Sequence, residues 1–493
     1  VSDRIQAVDL FCGGGGFSTG LALACEDLGH DVDLVAVNHW TTAIETHERN
    51  HAWAEHRNAK VEELHPPDVV DPGEVDLLVA SPECTHFSVA RGGKPVSEQK
   101  RASPWHVIDW AQKVRPDAVL LENVKELRSW GPVDEDGQPS RNGELFEAWI
   151  NSLHALGYSV EYRVLNAADF GDATSRERLF VVGRLEERAT FPEPTHSEDG
   201  DDLPSWRSAA EILDWEDRGK SLWERSQPLV ENTMARIAEG LRRHCHDDVA
   251  AFADVVGELG KADVEAMQED VVPAADAHEA AEDRESPFLV RGPTAAADGG
   301  QESAFVLGQH SGSVARDVEE RALPTIATRG AIQLYAPEAF VLPRNGAHGD
   351  LHSNATFTPE SRPLQTVTAS NHDGHLVSPF LVEYYGNGRA QSVEDPLPTV
   401  TTRDRFALVV PELYPFGLDV RFRMLKPSEL AAAQGFPSDY DFAGSTKKDV
   451  TEQIGNAVPV NLARALCRHL LTDGEPALST FGGGVTAEME ADD

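Results

Sequence analysis

Short apolar runs and amphipathic stretches alternate through the first 190 or so residues. Ile5–Cys12 reads as a strand, and the pattern from Phe17 to Leu28, closed by Gly29, reads as a helix. Leu34–Asn38 is a second strand, followed by a helix around Thr41–Asn50. Val75–Ala80 and Ala118–Glu122 are further strands, with a helix over about Trp105–Val114 between them. Leu145–Leu156 is helical and ends at Gly157; Val160–Leu165 and Leu179–Gly183 are strands. Strands alternating with helices predict a parallel, doubly wound α/β sheet.

Beyond that point the pattern changes. Residues 195–300 are acidic, with helical stretches near 206–214 and 222–259 and an Ala/Asp/Glu/Gly-rich linker near 270–302. Residues 303–410 carry a degenerate repeat whose copies begin at Ala304, Ala339 and Pro379. Each copy leads to a Pro/Leu–Thr–β-branched–Thr signature: Leu323–Thr328, Pro363–Thr368 and Pro396–Thr401. Short strands and polar loops there predict a mostly β module. Helical texture resumes through Leu425–Gln434 and Asn461–Leu471. The expected organisation is an α/β domain over 1–188, an acidic helical insertion and linker over 189–302, and a repeat region over 303–419. The α/β domain then returns over 420–473, and a disordered acidic tail covers 474–493.

Composition narrows the class. The 493 residues hold 43 basic and 83 acidic side chains, a formal charge of −40. Ten of the basic residues are lysine and 33 arginine, and the acids are spread over the whole chain. That pattern resembles adaptation to high salt, the alternative being an ordinary acidic cytosolic protein. The basic footprint usual for nucleic-acid partners is missing. No apolar run reaches the roughly 18 residues of a membrane helix, and no secretory leader is recognisable. The five cysteines (Cys12, Cys25, Cys84, Cys245, Cys467) form no C-x-x-C pair. This argues against a metal site and for a reducing, cytoplasmic location.

Four segments carry chemistry. Asp9-Leu10-Phe11-Cys12 followed by Gly13–Gly16 and Phe17 is a strand–glycine–helix junction, either a ligand loop or a tight turn. Asp76–Ser88 places Cys84 in a polar loop just past a strand, so the thiol is a nucleophile or a structural residue. Leu120-Leu121-Glu122-Asn123 ends a strand in a carboxylate, a candidate acid or a plain polar terminus. Thr174–Gly183 sets Arg176 and Arg178 two apart on one face at a strand head, for a substrate or for a surface pair with Glu177.

In this order and spacing, with Leu425–Pro437 and Gln453-Ile454-Gly455-Asn456-Ala457-Val458-Pro459, the segments resemble the DNA cytosine-C5 methyltransferases. The resemblance covers roughly residues 5–188 and 421–472. It implies a Rossmann-like, S-adenosylmethionine-dependent methyltransferase lobe with an inserted, mostly β target-recognition lobe. It implies that Cys84 attacks C6 of a flipped cytosine, that Glu122 holds the N3/N4 edge, and that Arg178, supported by Arg176, contacts O2. Phe11, Gly13, Gly15, Gly16, His39, Trp40, Pro82, Asn456 and Val458 would line the cofactor. Ser88, Arg329, Arg344, Arg389, Arg403 and Arg405 are candidates for contacting DNA, although any one of the arginines is as readily an exposed loop charge.

Three positions depart from the family pattern, one being the third strand's usual acid near the adenine, replaced around Ala59-Lys60-Val61. Glu83 stands where proline usually precedes the nucleophile, and His39 stands where an acid usually meets the cofactor ribose. The expected partners are double-stranded DNA and a cognate restriction endonuclease; the expected state is a monomer. The rival readings are an RNA cytosine methyltransferase and a catalytically inactive DNA-binding relative.

Overall fold

The computed structural model describes residues 4–82, 103–132, 140–222, 225, 227–245, 250, 252–258, 379–383, 389–414 and 417–472. It also describes the strand backbones at 272–273, 288–291, 305–306, 316–317, 340–342 and 375–377. The chain forms two compact units. The first joins Val1–Ile212, Pro396–Arg403 and Lys426–Asp493; the second joins Leu213–Asp395 and Asp404–Leu425.

The first unit is built on seven strands: β1 (Arg4–Leu10), β2 (Asp31–Asn38), β3 (Glu55–Asn58), β4 (Leu77–Ala80), β5 (Ala118–Asn123), β6 (Ser159–Asn166) and β7 (Glu177–Arg184). Their spatial order is β3-β2-β1-β4-β5-β7-β6. The order reverses between β1 and β4, and a doubly wound sheet opens its ligand crevice at such a switch point, beyond the carboxyl ends of the strands. The strands from β3 to β5 are parallel, as the sequence pattern predicts. One strand is not: β7 runs antiparallel to both of its neighbours, β5 and β6, so β6 points the same way as the parallel strands. Only the short turn Ala167–Phe170 interrupts the β6–β7 connection, and a parallel crossover needs a dozen or more residues. The edge strand β3, Glu-His-Arg-Asn, has no apolar residue to mark it in sequence.

Helices α1 (Gly16–Leu28), α2 (Thr41–Asn50), α3 (Ser103–Val114) and α4 (Glu144–Ala155) follow the expected pattern. Gly29 closes α1 at φ 70°, a left-handed conformation that suits glycine. One face of the sheet buries Leu77, Val79, Phe180 and Val182 with Phe17 and Leu21 of α1. The other buries Leu78, Val119, Leu121 and Val181 with Trp110 of α3 and Trp149 of α4. Each such side chain contributes on the order of 1.5–3 kcal/mol.

The second unit carries a nine-stranded sheet whose central hairpin pairs Phe406–Tyr414 with Gly417–Met424. Helix α5 (Glu231–His244) packs Met234, Ile237 and Leu241 against Phe380, Val382, Val409 and Phe422. The helix expected over 222–259 is shorter than the pattern suggests. It starts at Glu231, beyond Pro228, whose ring disfavours helix in the residue before it. A separate helix covers Ala253–Glu258. Of the stretch 206–214, only Ala209–Ile212 forms a turn of 3₁₀ helix.

The chain then returns to the first unit through α6 (Pro427–Ala433), α7 (Lys447–Asn456) and α8 (Val460–Leu470). Leu462, Leu466 and Leu470 of α8 complete the core beside α1. The first unit extends beyond residue 188 to Ile212 because Phe191 enters its core and Trp206 donates to Asp169. The first two Thr signatures and residues 474–493 lie outside the described residues.

Candidate active site

The glycine junction sits at the switch point. Beyond Leu10 the backbone turns sharply, with Phe11 at φ 61°, Gly13 at 56° and Gly15 at 96°. A non-glycine residue in the left-handed region is uncommon and costs energy, so Phe11 is held there by its surroundings. Gly15 caps α1 without a side-chain hydrogen bond, and the first turn holds no acid. The helix therefore presents free N–H groups toward the crevice. Trp40, half-buried, follows β2, and Asn38 Oδ1 accepts from its amide at 2.9 Å. His39 is exposed.

A layer of polar side chains supports this loop. Tyr440 donates its hydroxyl to the Gly14 carbonyl at 2.5 Å. A Cβ on Gly15 would lie 2.5 Å from that hydroxyl and 3.0 Å from His51 Cε1, so this position admits only glycine. Ser18 donates to Asp9 Oδ2 at 2.6 Å; His47 Nε2 lies 2.8 Å from Ser18 Oγ, and its Nδ1 lies 2.8 Å from His56 Nε2. Burial pushes the Asp9 carboxyl up to about 7, opposed by the Ser18 hydrogen bond. Burial lowers His51 to about 4 and holds His47 well below the ordinary histidine range.

The other wall comes from β4, β5 and β7. Ser81 continues β4, its amide bonded to the Leu10 carbonyl at 3.1 Å, and Pro82 is buried. Asn123, fully buried at the end of β5, donates to the Pro82 carbonyl at 3.0 Å. It thereby fixes the backbone at Pro82, two positions before Cys84 in the sequence. Glu122, one residue earlier, is 7% exposed, and Arg178 Nε lies 3.2 Å from its Oε1. Burial raises the Glu122 carboxyl, while the charges of Arg178 and then Arg176 pull it back. Glu177 is occupied elsewhere, by Lys125 at 2.7 Å. The Arg178 guanidinium thus faces Glu122 and does not form the surface pair that the sequence also allowed.

Arg176 is turned to other partners. Its Nη1 donates to the carbonyls of Val400, at 2.9 Å, and Gly455, at 3.1 Å. Asn456, next to Gly455, is exposed, and Val458 is buried with Phe17 in the core. Arg403 and Arg389 are both exposed, the first in the first unit and the second in the second. The structure therefore brings Glu122, Arg178, Arg176 and the Pro82 carbonyl to one end of the sheet, and the glycine loop and Trp40 to the adjoining end. Cys84, Ser88 and Arg329 lie outside the described residues, as does Glu83.

Residues 5–252 and 353–472 match the model of the C-5 cytosine-specific DNA methylase family. The chain belongs to this family. The Type II methyltransferase M.Sau3AI of Staphylococcus aureus is 30% identical over 191 residues, 37% of this chain and 43% of that protein. M.AgeI of Thalassovita gelatinovora is 28% identical over 198 residues, 39% and 42% of the two chains. M.HaeII of Haemophilus aegyptius is 30% identical over 192 residues, 38% and 54%. The match thus spans about half or less of the length of these curated relatives.

Four residues that support this site escape sequence reading. Asn123 adjoins Glu122, but nothing in its spacing reveals a bond to Pro82. Tyr440 lies 426 positions from Gly14, and no local pattern links them. His47 and His51 are helix-spaced polar residues that read as a solvent face, yet they are 0% and 4% exposed.

Proposed function

We propose that this chain is a DNA cytosine-C5 methyltransferase using S-adenosylmethionine. The observation that carries this reading is the Glu122–Arg178 pair at the carboxyl edge of the sheet, beside Asn123, which holds the Pro82 carbonyl two positions before Cys84 in the sequence. The cofactor suits the residues present. The uncapped α1 N-terminus can take its carboxylate, and Trp40 and Phe11 offer flat faces to its adenine and the groups beside it. When bound, it supplies an electrophilic methyl group.

Cytosine C5 is too weak a nucleophile to be methylated directly. Cys84, as thiolate, forms a bond to C6, and the ring electrons move toward N3 and C5. Glu122 meets the charge growing at N3. Its raised affinity for a proton lets it donate there, and Arg178 keeps that affinity from rising so far that the proton cannot return. Arg178 also holds O2. After C5 has taken the methyl group, a base removes the C5 proton, the C5–C6 double bond re-forms and Cys84 leaves. Arg176 supports the site from behind. Phe11, Gly13, Gly15, Gly16, His39, Trp40, Pro82, Asn456 and Val458 line the cofactor side. Ser88, Arg329, Arg389 and Arg403 meet the duplex. The second unit reads the target, and a restriction endonuclease is its natural counterpart. The enzyme works as a cytoplasmic monomer in high salt.

The test is incubation with labelled S-adenosylmethionine and mixed DNA and RNA in molar salt. Label on DNA that is lost in Cys84→Ser is the expected result. Label on RNA alone, or none on either from the wild type, overturns the reading.

A further inference from the structure

The third Thr signature leaves the unit that flanks it. Asp395 and Asp404 belong to the second unit, but the eight residues between them, Pro396–Arg403, belong to the first. A series of bonds holds this strap on the strand head that carries the arginines. Leu397 donates its amide to Ala173 O and accepts from the Ser175 amide, both at 2.9 Å. Thr174 Oγ1 donates to Pro398 O at 3.2 Å. Leu397 and Val400 are buried. On its other side the strap lies against Gly455, where an added Cβ would sit 2.3 Å from the Thr401 carbonyl carbon and 2.4 Å from Thr402 N. Only glycine lets the two backbones approach this closely.

Arg176 sits where these segments meet. It is 3% exposed, and one guanidinium nitrogen donates to Val400 O of the strap and to Gly455 O, the residue before Asn456. A cation this buried is costly unless it is well bonded, and neither carbonyl lies on a substrate. Besides its charge on Glu122, it holds two backbones in register. One leads directly into Asn456 and Val458, and the other continues in both directions into the second unit.

We propose that Arg176 is a positioning residue that couples the two binding events. It locks the strap leading to the target-reading unit onto the last turn of α7, which runs into the residues that close the cofactor side, so that occupation of one favours the other. This rests on the methyltransferase reading above. By linkage the effect is reciprocal, and couplings of this kind commonly change an affinity about 5–150-fold.

The experiment measures the dissociation constant of S-adenosylhomocysteine with and without saturating unmethylated phage DNA, in molar salt. The ratio of the two constants is the coupling factor. Wild type is expected to show a factor well above one. In Arg176→Met it should fall toward one, while the affinity for S-adenosylhomocysteine alone changes less. Arg176→Lys, which keeps the charge and a donor, should recover part of it. Should Arg176→Met fail to fold, Gly455→Ala keeps the arginine but displaces the strap from its Gly455 partner, and should lower the factor in the same way. Thr174→Val, which removes one outer bond, should give an intermediate value. A merely structural arginine would lower thermal stability and leave the factor unchanged; that result, or a wild-type factor of one, overturns the proposal. If the wild type binds neither S-adenosylhomocysteine nor DNA, the methyltransferase reading itself has failed.

Discussion

Arg178 Nε lies 3.2 Å from Glu122 Oε1, and both side chains are largely withdrawn from solvent. Two opposed influences therefore set the proton affinity of this acid: burial raises it and the guanidinium lowers it. Replacing Glu122 with Gln removes the transferable proton and should cut kcat by roughly 10²–10⁴, the usual worth of a general acid. Steady-state methylation assays on unmethylated DNA check this.

Arg178→Ala removes the charge that holds Glu122 down. The carboxyl then keeps its proton to higher pH. The alkaline limb of the kcat profile should move upward while kcat itself falls. An unmoved limb would mean that Arg178 does not govern this titration.

Burial of neutral histidines behind the glycine loop makes the protein acid-sensitive. His51 drops from its ordinary 6.5 to about 4, and His47 and His56 are also lowered. A depressed histidine contributes stability that is present above pH 6.5 and is lost as pH falls through the folded value. Asp9 acts in the opposite sense. Raised to about 7, it contributes stability present below its ordinary 3.8 and lost as pH rises through 7. Thermal unfolding followed from pH 4 to 8 should peak inside that interval. In His51→Asn the decline between pH 6.5 and 4 should become shallower.

Tyr440→Phe loses the bond to the Gly14 carbonyl. A net hydrogen bond is worth about 0.5–1.5 kcal/mol, so cofactor affinity should weaken roughly 2- to 12-fold with the fold intact. Gly15→Ala meets both the positive φ and the Tyr440 hydroxyl, and should abolish cofactor binding in equilibrium dialysis.

The formal charge of −40 leads to a prediction about salt. In dilute buffer the acids repel one another; at 1 M salt the Debye length is about 3 Å and the repulsion is screened. Circular dichroism and activity should both fall on dialysis into dilute buffer and recover in molar salt. Full activity in dilute buffer would show that the acidity serves another purpose.

Much of the first unit was legible because apolar runs and glycine stops report directly on buried strands and helix ends. Leu77–Ala80 is apolar throughout because both faces of β4 are covered. β3 was not legible, since an exposed edge strand needs no apolar side chain. The antiparallel return of β7 was missed because strand pattern does not encode direction. Glu122 and Arg178 could be named from their places at strand ends, and the structure adds their mutual contact. The strap was invisible for a different reason. Pro396–Thr401 looks like two other segments of the chain, and only tertiary bonds to Ala173–Arg176 reveal that it joins the first unit.

The discontinuity of that unit also matters during synthesis. Helix α8 supplies Leu462, Leu466 and Leu470 to the face that α1 covers only in part. About 250 residues separate Ile212 from α8, which at 5–20 residues per second is roughly 12–50 s of translation. Throughout that interval the nascent sheet carries an open apolar face, so this chain has a long window in which to aggregate or to need a chaperone. Ribosome-stalled chains ending before Val460 should bind hydrophobic dyes or holdases strongly, and chains that have exposed α8 beyond the exit tunnel should not.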